Sequence, residues 1–544
     1  MGEVIVADDT ITGAGVVLAQ RIEQLTRPGG VGIQGAAYET IPGRFPFEYE
    51  SLGEHVVKGF DNPVRLYAAR LKQDTDIPQP VPQADRRWAA GVAVAVVLVL
   101  TLALALWFEP WKTPAPVRES ASSYPGITGL TGTNPPGRPS GPEIPDRPSI
   151  AVLAFNNMSD DAEQDYFADG IADDIITDLS KISGLLVIAR NSSFVYKGNA
   201  VSVESVAREL GVKYVLEGSV RRAGQQVRIN AQLIDGSTGG HVWAERYDGS
   251  LTNVFALQDR VRQKIVSALS VTLTAEEQTG QRSAETSVPE AYDAFLKGWA
   301  HYQRNTRQDF GLARDYLEQA LALDASYTRA AAALAALYWE THLRDWQPAL
   351  RVDAGAVKRN AYAYRDRALE SPTPLALVVD ADMLMWRGKH DEAIEQARRA
   401  MVLAPNDAYA KLELAEILVY AGRPKEALEH VADAARLDPH GEPRQRYILG
   451  LAYFGLERYE DSAAALAIAL KLNPDFTTPS VILTSSLGHL GNGGSAAEAL
   501  RIYGGGAYWA EAGISSMVIQ FPYKHRADRD RVERGLRLAG VKEY

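Results

Sequence analysis

Three patterns predict a multidomain chain, in which small α/β units and an all-α repeat array are joined through one apolar spanning helix. From Trp88 to Phe108 the sequence runs without a charge. Over residues 149–275 strand-type and helical segments alternate. Beyond Pro289, helical stretches end at intervals of 34 and 35 residues. The 544 residues leave room for three or four domains, and 46% hydrophobic with 23% charged content is that of folded domains. A net charge of -11 argues against a broad nucleic-acid surface, which wants a basic face. Zero cysteines exclude disulfides, thiolate metal sites and cysteine nucleophiles. The first twenty residues lack the basic start and apolar core of a secretory signal.

Residues 1–72 come first in chain order. Gly13-Ala14-Gly15-Val16-Val17-Leu18-Ala19-Gln20-Arg21-Ile22-Glu23 leads through Pro28-Gly29-Gly30 to the strand-like Val31-Gly32-Ile33-Gln34. The segment closes with Leu52-Gly53-Glu54-His55-Val56-Val57-Lys58-Gly59-Phe60 and Pro63-Val64-Arg65-Leu66-Tyr67. In order and spacing this resembles the C-terminal half of a class III nucleotide cyclase catalytic domain, a partial α/β cyclase fragment. The reaction of that family, ATP to cyclic AMP and pyrophosphate in intact relatives, needs cations held by carboxylates and fixed donors for phosphate charge.

The resemblance implies roles residue by residue. Thr10 stands at the substrate-binding, base-reading position, and Gly13 matches a family glycine. The ribose-binding Asn is replaced by Val17, which has no hydrogen to donate. Arg21 is retained as the catalytic arginine, whose guanidinium fork suits developing phosphate charge. The family's two metal carboxylates, which hold two Mg or Mn ions in complete members, and its base-reading Lys belong to a half that precedes Gly2. Asp8 and Asp9 do not stand in for them. Met1 is therefore expected to be an internal methionine of a longer frame, or the gene a truncated relic, and this chain by itself to lack cyclase activity. A homodimer, or pairing with a complete cyclase, is the implied assembly.

After a juxtamembrane linker at 73–87, residues 88–108 read as a transmembrane helix about 31 Å long, matching a bilayer core of about 30 Å. Trp88, Trp107 and Trp111 sit where an aromatic belt falls. Arg70, Lys72, Arg86 and Arg87 before it, against Lys112 and Arg118 after it, place the N-terminus in the cytoplasm. The expected location is the bacterial inner membrane, single-pass in the lipid bilayer, with the C-terminal domains periplasmic or extracellular. Residues 109–148, rich in Pro, Gly and Ser, read as a flexible linker.

Ser149–Phe155 reads as a strand, and Asp165–Ile182 as a helix with Phe167, Ile171, Ile175 and Leu179 on one face. Leu185–Ala189 gives a second strand and Val203–Leu210 a second helix. Tyr214–Val220 and Val227–Ile234 alternate as a hairpin turning at Ala223-Gly224. His241–Glu245 adds a strand, and Val254–Leu273 a long amphipathic helix. The residues Tyr166-Phe167-Ala168-Asp169-Gly170-Ile171, Leu216-Glu217-Gly218-Ser219 and Trp243-Ala244-Glu245-Arg246-Tyr247-Asp248 resemble a TolB-like domain, which implies partner recognition without chemistry. Asp161, Asp165, Asp169 and Asp173 recur at spacing four, and with no convergent His they read as a solvated helix face rather than a metal site.

Over 289–503, Gly388-Lys389-His390-Asp391-Glu392-Ala393, Gly422-Arg423-Pro424-Lys425-Glu426-Ala427 and Glu457-Arg458-Tyr459-Glu460-Asp461-Ser462 align at shifts of 34 and 35. Helix ends at Ala404-Pro405, Asp438-Pro439 and Asn473-Pro474 keep the same step, and the stretch from Tyr327 to Thr373 is longer and degenerate. The pattern resembles tetratricopeptide repeats, whose helix pairs stack into a superhelix with a concave groove. Residues 504–544 read as a C-terminal cap. Two functions are in view: an adenylate cyclase family signalling protein, or a non-catalytic membrane-tethered scaffold holding a protein or peptide ligand in the repeat groove. Nucleic acid is not an expected partner, and ATP is one only in complete relatives.

Overall fold

The computed structural model describes residues 5–7, 10–12, 31–34, 47–55, 64–71, 147–199, 201–271, 273–274, 286–441, 443–503 and 513–543. The chain divides into two units, Met1–Glu119 and Ser120–Tyr544. The described residues of the first unit form strands. β1 (Ile5–Ala7) pairs antiparallel with β2 (Thr10–Thr12). β3 (Val31–Gln34) and β4 (Phe47–His55) flank β5 (Val64–Leu71), all antiparallel, with a register slip between Ser51 and Gly53.

The second unit opens with a six-stranded mixed sheet. β6 (Ser149–Val152) lies next to one edge of it, and a short β7 (Asn156–Asn157) follows in the chain. The helix α1 (Asp165–Ser180) then crosses over to β8 (Leu186–Val187), parallel to β6, as a parallel pair requires. Two helices, α2 (Arg190–Phe194) and α3 (Val203–Leu210), lead to β9 (Tyr214–Ala223) on the other side of β6. β10 (Gln226–Asp235) and β11 (His241–Ser250) extend the sheet as an antiparallel meander, and α4 (Val254–Ala268) closes the domain.

Strand alternation sends the two faces of this sheet into different cores. Ile150 and Val152 pack with Phe167, Ile171 and Ile175 of α1 and with Val261 and Ile265 of α4. Ala151 turns to the opposite face, with Val206 and Leu210 of α3.

Helix pairs make up the rest. They are α5 (Pro289–Gln303) with α6 (Arg307–Leu323), and α7 (Thr328–Leu343) with α9 (Ala354–Ala368), the latter interrupted by the single turn α8 (Gln347–Leu350). Next come α10 (Pro374–Trp386) with α11 (His390–Leu403), and α12 (Ala408–Tyr420) with α13 (Pro424–Leu437). The last two pairs are α14 (Pro443–Gly455) with α15 (Tyr459–Leu472), and α16 (Thr478–His489) with α17 (Gly493–Tyr503). A short α18 (Ile514–Val518) precedes α19 (Arg526–Leu538), which lies against α16 and covers the last pair.

One local device turns every pair. Two residues beyond the end of each first helix the backbone enters the left-handed region, at Asn305, Asp345, Gly388, Gly422, Glu457 and Gly491. In five of these six turns the next N–H then reaches back to a carbonyl of the last turn, as in Lys389 N to Leu384 O at 2.9 Å and Arg423 N to Leu418 O at 2.8 Å. This is the closing hydrogen bond of a Schellman motif, and it satisfies carbonyls the helix leaves orphaned. Within pairs, a small buried residue recurs in the first helix at Gly298, Ala332, Ala381, Ala415, Gly450 and Ser485. Successive first helices pack on one another, and comparable packing between successive second helices is absent among the described residues. The first helices therefore line the inner side of the curve.

The class expected from the sequence is corrected by this architecture. The described chain is mostly helical, built of helix pairs around one small mixed sheet, in place of a multidomain chain carrying a cyclase fragment and a spanning helix. Among the described residues no helix is long and apolar enough to cross a membrane. That finding overturns the expected single-pass inner-membrane placement, and the 88–108 run itself lies outside the described residues.

Candidate functional site

The inner side of the repeats carries a polar cluster assembled from five consecutive first helices. Near the end of α5, Tyr302 donates its hydroxyl to Glu340 of α7. Beside Glu340, Trp339 donates its indole N–H to Asp382 Oδ2 of α10 at 2.8 Å. α12 presents Tyr409, Glu413 and Glu416 at spacings of four and three, which sets them on one helix face. From α14, Arg444 reaches across to Glu413 Oε2 at 2.5 Å and Glu416 Oε2 at 2.8 Å. Its guanidinium lies 4.9 Å from the centre of the Tyr409 ring. Arg344 pairs with Glu340 at 2.8 Å.

Each position follows from the repeat. The first helices are apolar nearly all round because both the pair partner and the neighbouring pair cover them, so the few polar side chains they carry must point into the groove. Asp382 and Glu416 stand 34 residues apart and Tyr409 and Arg444 stand 35 apart, which makes them equivalent positions of successive repeats.

The electrostatics are those of a crowded acid site. Burial, then the charges of Glu413 and Glu416, push the Asp382 carboxyl well above the usual carboxylate range. Burial also raises Glu413 to about 7, with Arg444 opposing and Glu416 reinforcing. Arg444 itself is pulled down by burial, yet Glu413 and Glu416 outweigh that and hold it firmly charged. Glu413 is 1% exposed, and its Oε1 has no hydrogen-bond partner among the described residues. Tyr409, by contrast, is 40% exposed and opens the cluster to solvent. Among the described residues no group of three or more His, Cys, Asp or Glu is placed to hold a metal ion. What the arrangement offers is acceptors and negative charge beside aromatic surface. It suits a ligand that brings N–H donors or positive charge.

A second polar network joins the sheet domain to the first repeats. Asp174 of α1 accepts from Arg329 at 2.6 Å, from Gln258 at 2.9 Å and from the Tyr292 hydroxyl. Asp173 accepts from the Trp299 indole at 2.8 Å, and Asp293 of α5 accepts from Tyr166 at 2.7 Å and from Arg222. Gly170 permits this approach, since a Cβ there would lie 2.7 Å from a Leu296 methyl. Further along, Asn406 Nδ2 donates to Ile182 O at 2.8 Å and Ala189 N to Leu437 O at 2.8 Å. The sheet domain thus touches the turns that lead into successive first helices, along one edge of the groove.

Of the residues singled out in the sequence, Thr10 opens β2 opposite Ala7. Its side chain, Val17 and Arg21 lie outside the described residues. The expected solvated row of acids is corrected at its last member. Asp165 and Asp169 face Lys197 at 3.3 and 2.7 Å near the surface, but Asp173 is 8% exposed because α5 covers that end of α1. Burial raises the Asp173 carboxyl, with Arg190 and Trp299 opposing. Neither polar network was visible in the sequence, although the matched positions of Asp382 and Glu416 carried a signal for the groove.

Comparison with known proteins adds the following. A family model described as HilA/YgeH-like transcriptional regulator, second domain, matches residues 146–264. A curated protein of Rhizobium meliloti (strain 1021) named "Putative adenylate cyclase 3" is 39% identical over 350 residues, covering 64% of this chain and 50% of that protein. The chain spans about half the length of the curated relative it matches. Among solved structures, Pseudomonas aeruginosa PilF is 19% identical over 42% of this chain and 98% of its own, with a TM-score of 0.30. YrrB, described as a TPR protein with an unusual peptide-binding site, is 20% identical over 37% of this chain and 94% of its own, with a TM-score of 0.24. The repeat assignment accordingly rests on the helix pairs themselves.

Proposed function

We propose that residues 289–503 bind an extended segment of a partner protein in the groove lined by the first helices. The observation that carries this is the polar and aromatic cluster running from Tyr302 to Arg444 across five helices, open to solvent at Tyr409. Surface aromatic groups beside buried polar groups are the composition of recognition sites. The test is selection of random displayed peptides on the full chain, followed by calorimetric titration of those enriched. Tyr409→Ala is expected to weaken their binding by about tenfold or more, the loss typical of an aromatic anchor. Val402→Asp, at a 79% exposed position of the second helix α11, should leave binding unchanged. Equal loss in both variants, or none in Tyr409→Ala, refutes the groove.

A second reading is favoured by the name of the 39% identical relative. In it, residues 1–72 contribute to an adenylate cyclase site, with Thr10 at the base and Arg21 at the phosphates. Cyclic AMP formation by the full chain, alone and mixed with an intact class III cyclase, is the assay. An activity that Arg21→Ala leaves untouched counts against it.

A further inference from the structure

We propose that the groove selects its partner by a basic side chain, a lysine or arginine seated between Asp382 of α10 and Glu413 of α12. The inference rests on the peptide-groove reading and names the chemistry of its ligand.

Charge complementarity argues for it. Four carboxylates, Glu340, Asp382, Glu413 and Glu416, share the cluster with two guanidinium groups, Arg344 and Arg444. Arg344 serves Glu340, and Arg444 serves Glu413 and Glu416 through one oxygen of each. Among the described residues Asp382 receives one indole N–H and no direct ion pair, Arg444 acting on it only through its field.

The second observation is independent of the count. Glu413 Oε1 is buried and lacks a donor among the described residues, in a residue 1% exposed. An unmatched buried acceptor costs stability unless something fills it, so such atoms in a native fold call for an explanation. A cation entering past the exposed Tyr409 ring would give that oxygen its donor and bring Asp382 a second one at once. Arg444 already shows the mode in miniature, since its guanidinium lies over the same ring while its N–H groups meet Glu413 and Glu416.

A peptide fits better than a free ion. The contacts extend along five helices and Tyr409 is the exposed ring among them, with Trp339 buried, so a chain lying along the first helices would send one side chain past Tyr409. At pH 8 an acidic segment would meet Glu413 and Glu416 with like charge, a direct cost to the wrong partner.

The experiment uses the peptides selected on the full chain by random display, titrated at pH 8. Sequences should carry Lys or Arg at one fixed position. Acetylation of that Lys, or its replacement by Gln, should weaken binding about tenfold, as should Glu413→Gln or Asp382→Asn in the protein. Against the acetylated peptide those two isosteric variants should bind like the parent. Circular dichroism and melting of both variants guard against misfolding, and either one folded suffices. Groove-dependent peptides with no basic position, or with an acidic one, overturn this inference and leave the peptide groove standing. If no selected peptide depends on Tyr409, the groove itself fails and the inference with it.

Discussion

Glu413 is a carboxylate whose folded environment disfavours its own charge, and that has a consequence for stability. Its group is raised to about 7, above the unfolded value near 4.3. A raised group contributes stability that is fully present below the unfolded value and is lost as pH rises through the folded one. Glu413→Gln, which mimics the protonated form, should therefore melt near the parent at pH 5 and above it at pH 8. A lower melting temperature than the parent at pH 8 would show that the Arg444 pair outweighs the burial. Binding of a basic peptide should run the opposite way, weakening severalfold from pH 8 to pH 6 as Glu413 takes up its proton. The groups facing Glu413 reinforce this direction. Asp382 from α10 is raised in the same sense, while His342, 5.4 Å from Trp339 on α7, is held below the usual imidazole range by burial and by the Lys358 charge and so adds little over this window. Glu340, Glu416 and Tyr409 add no positive charge, and Arg444 stays charged throughout. This site was only half legible beforehand. The sequence shows a groove but not its occupant, because Tyr302, Trp339, Asp382, Glu413 and Arg444 meet only once five helices have been stacked.

At the scale of the element, the left-handed residue two positions past each first helix sets where the pair folds back. Gly388 has φ of +76° with open space around its Cβ position, so the conformation itself is what a side chain there would oppose. Gly388→Ala should lower stability by about 1 kcal/mol, read from the urea midpoint. Alanine matching glycine there would mean the turn relaxes. The aligned runs beginning at Gly388, Gly422 and Glu457 made these turns readable from the sequence, since a 34-residue step repeats one helix pair at a time. Other boundaries were less readable. The helix begun at Val254 stops at Ala268 and not at Leu273, because the backbone turns left-handed at Ser270. The strand expected over Leu185–Ala189 keeps only Leu186 and Val187 in the sheet, and Ala189 instead donates to Leu437 across the domain joint. Apolar periodicity reports that a segment is buried. It does not report which neighbour covers it.

Across the second unit, the two sides of the sheet join two hydrophobic cores that each continue into the repeats. Ile150 and Phe167 share a core with Tyr292 and Phe310, while Ala151 and Val206 share one with Ile394 and Leu418. The sheet domain and the superhelix should then unfold together, with Asp174 as the polar centre of the joint. Arg329, whose side chain is 15% exposed, pairs with Asp174, and Tyr292 and Gln258 also depend on it. Removing one partner of a buried pair leaves the other charge stranded, at a cost of about 3–5 kcal/mol. Asp174→Ala should consequently split the calorimetric transition in two and expose the turns at Asn406 and Asp438 to protease. Asp174→Asn keeps acceptors for Tyr292 and Gln258 and should cost less. A single transition in Asp174→Ala, lowered by no more than a surface substitution would lower it, would mean the apolar faces hold the domains without the network. The groove would then keep its shape when the joint is weakened. If the transition splits, the edge of the groove is free to move, and peptide affinity in Asp174→Ala should fall although no groove residue has been changed.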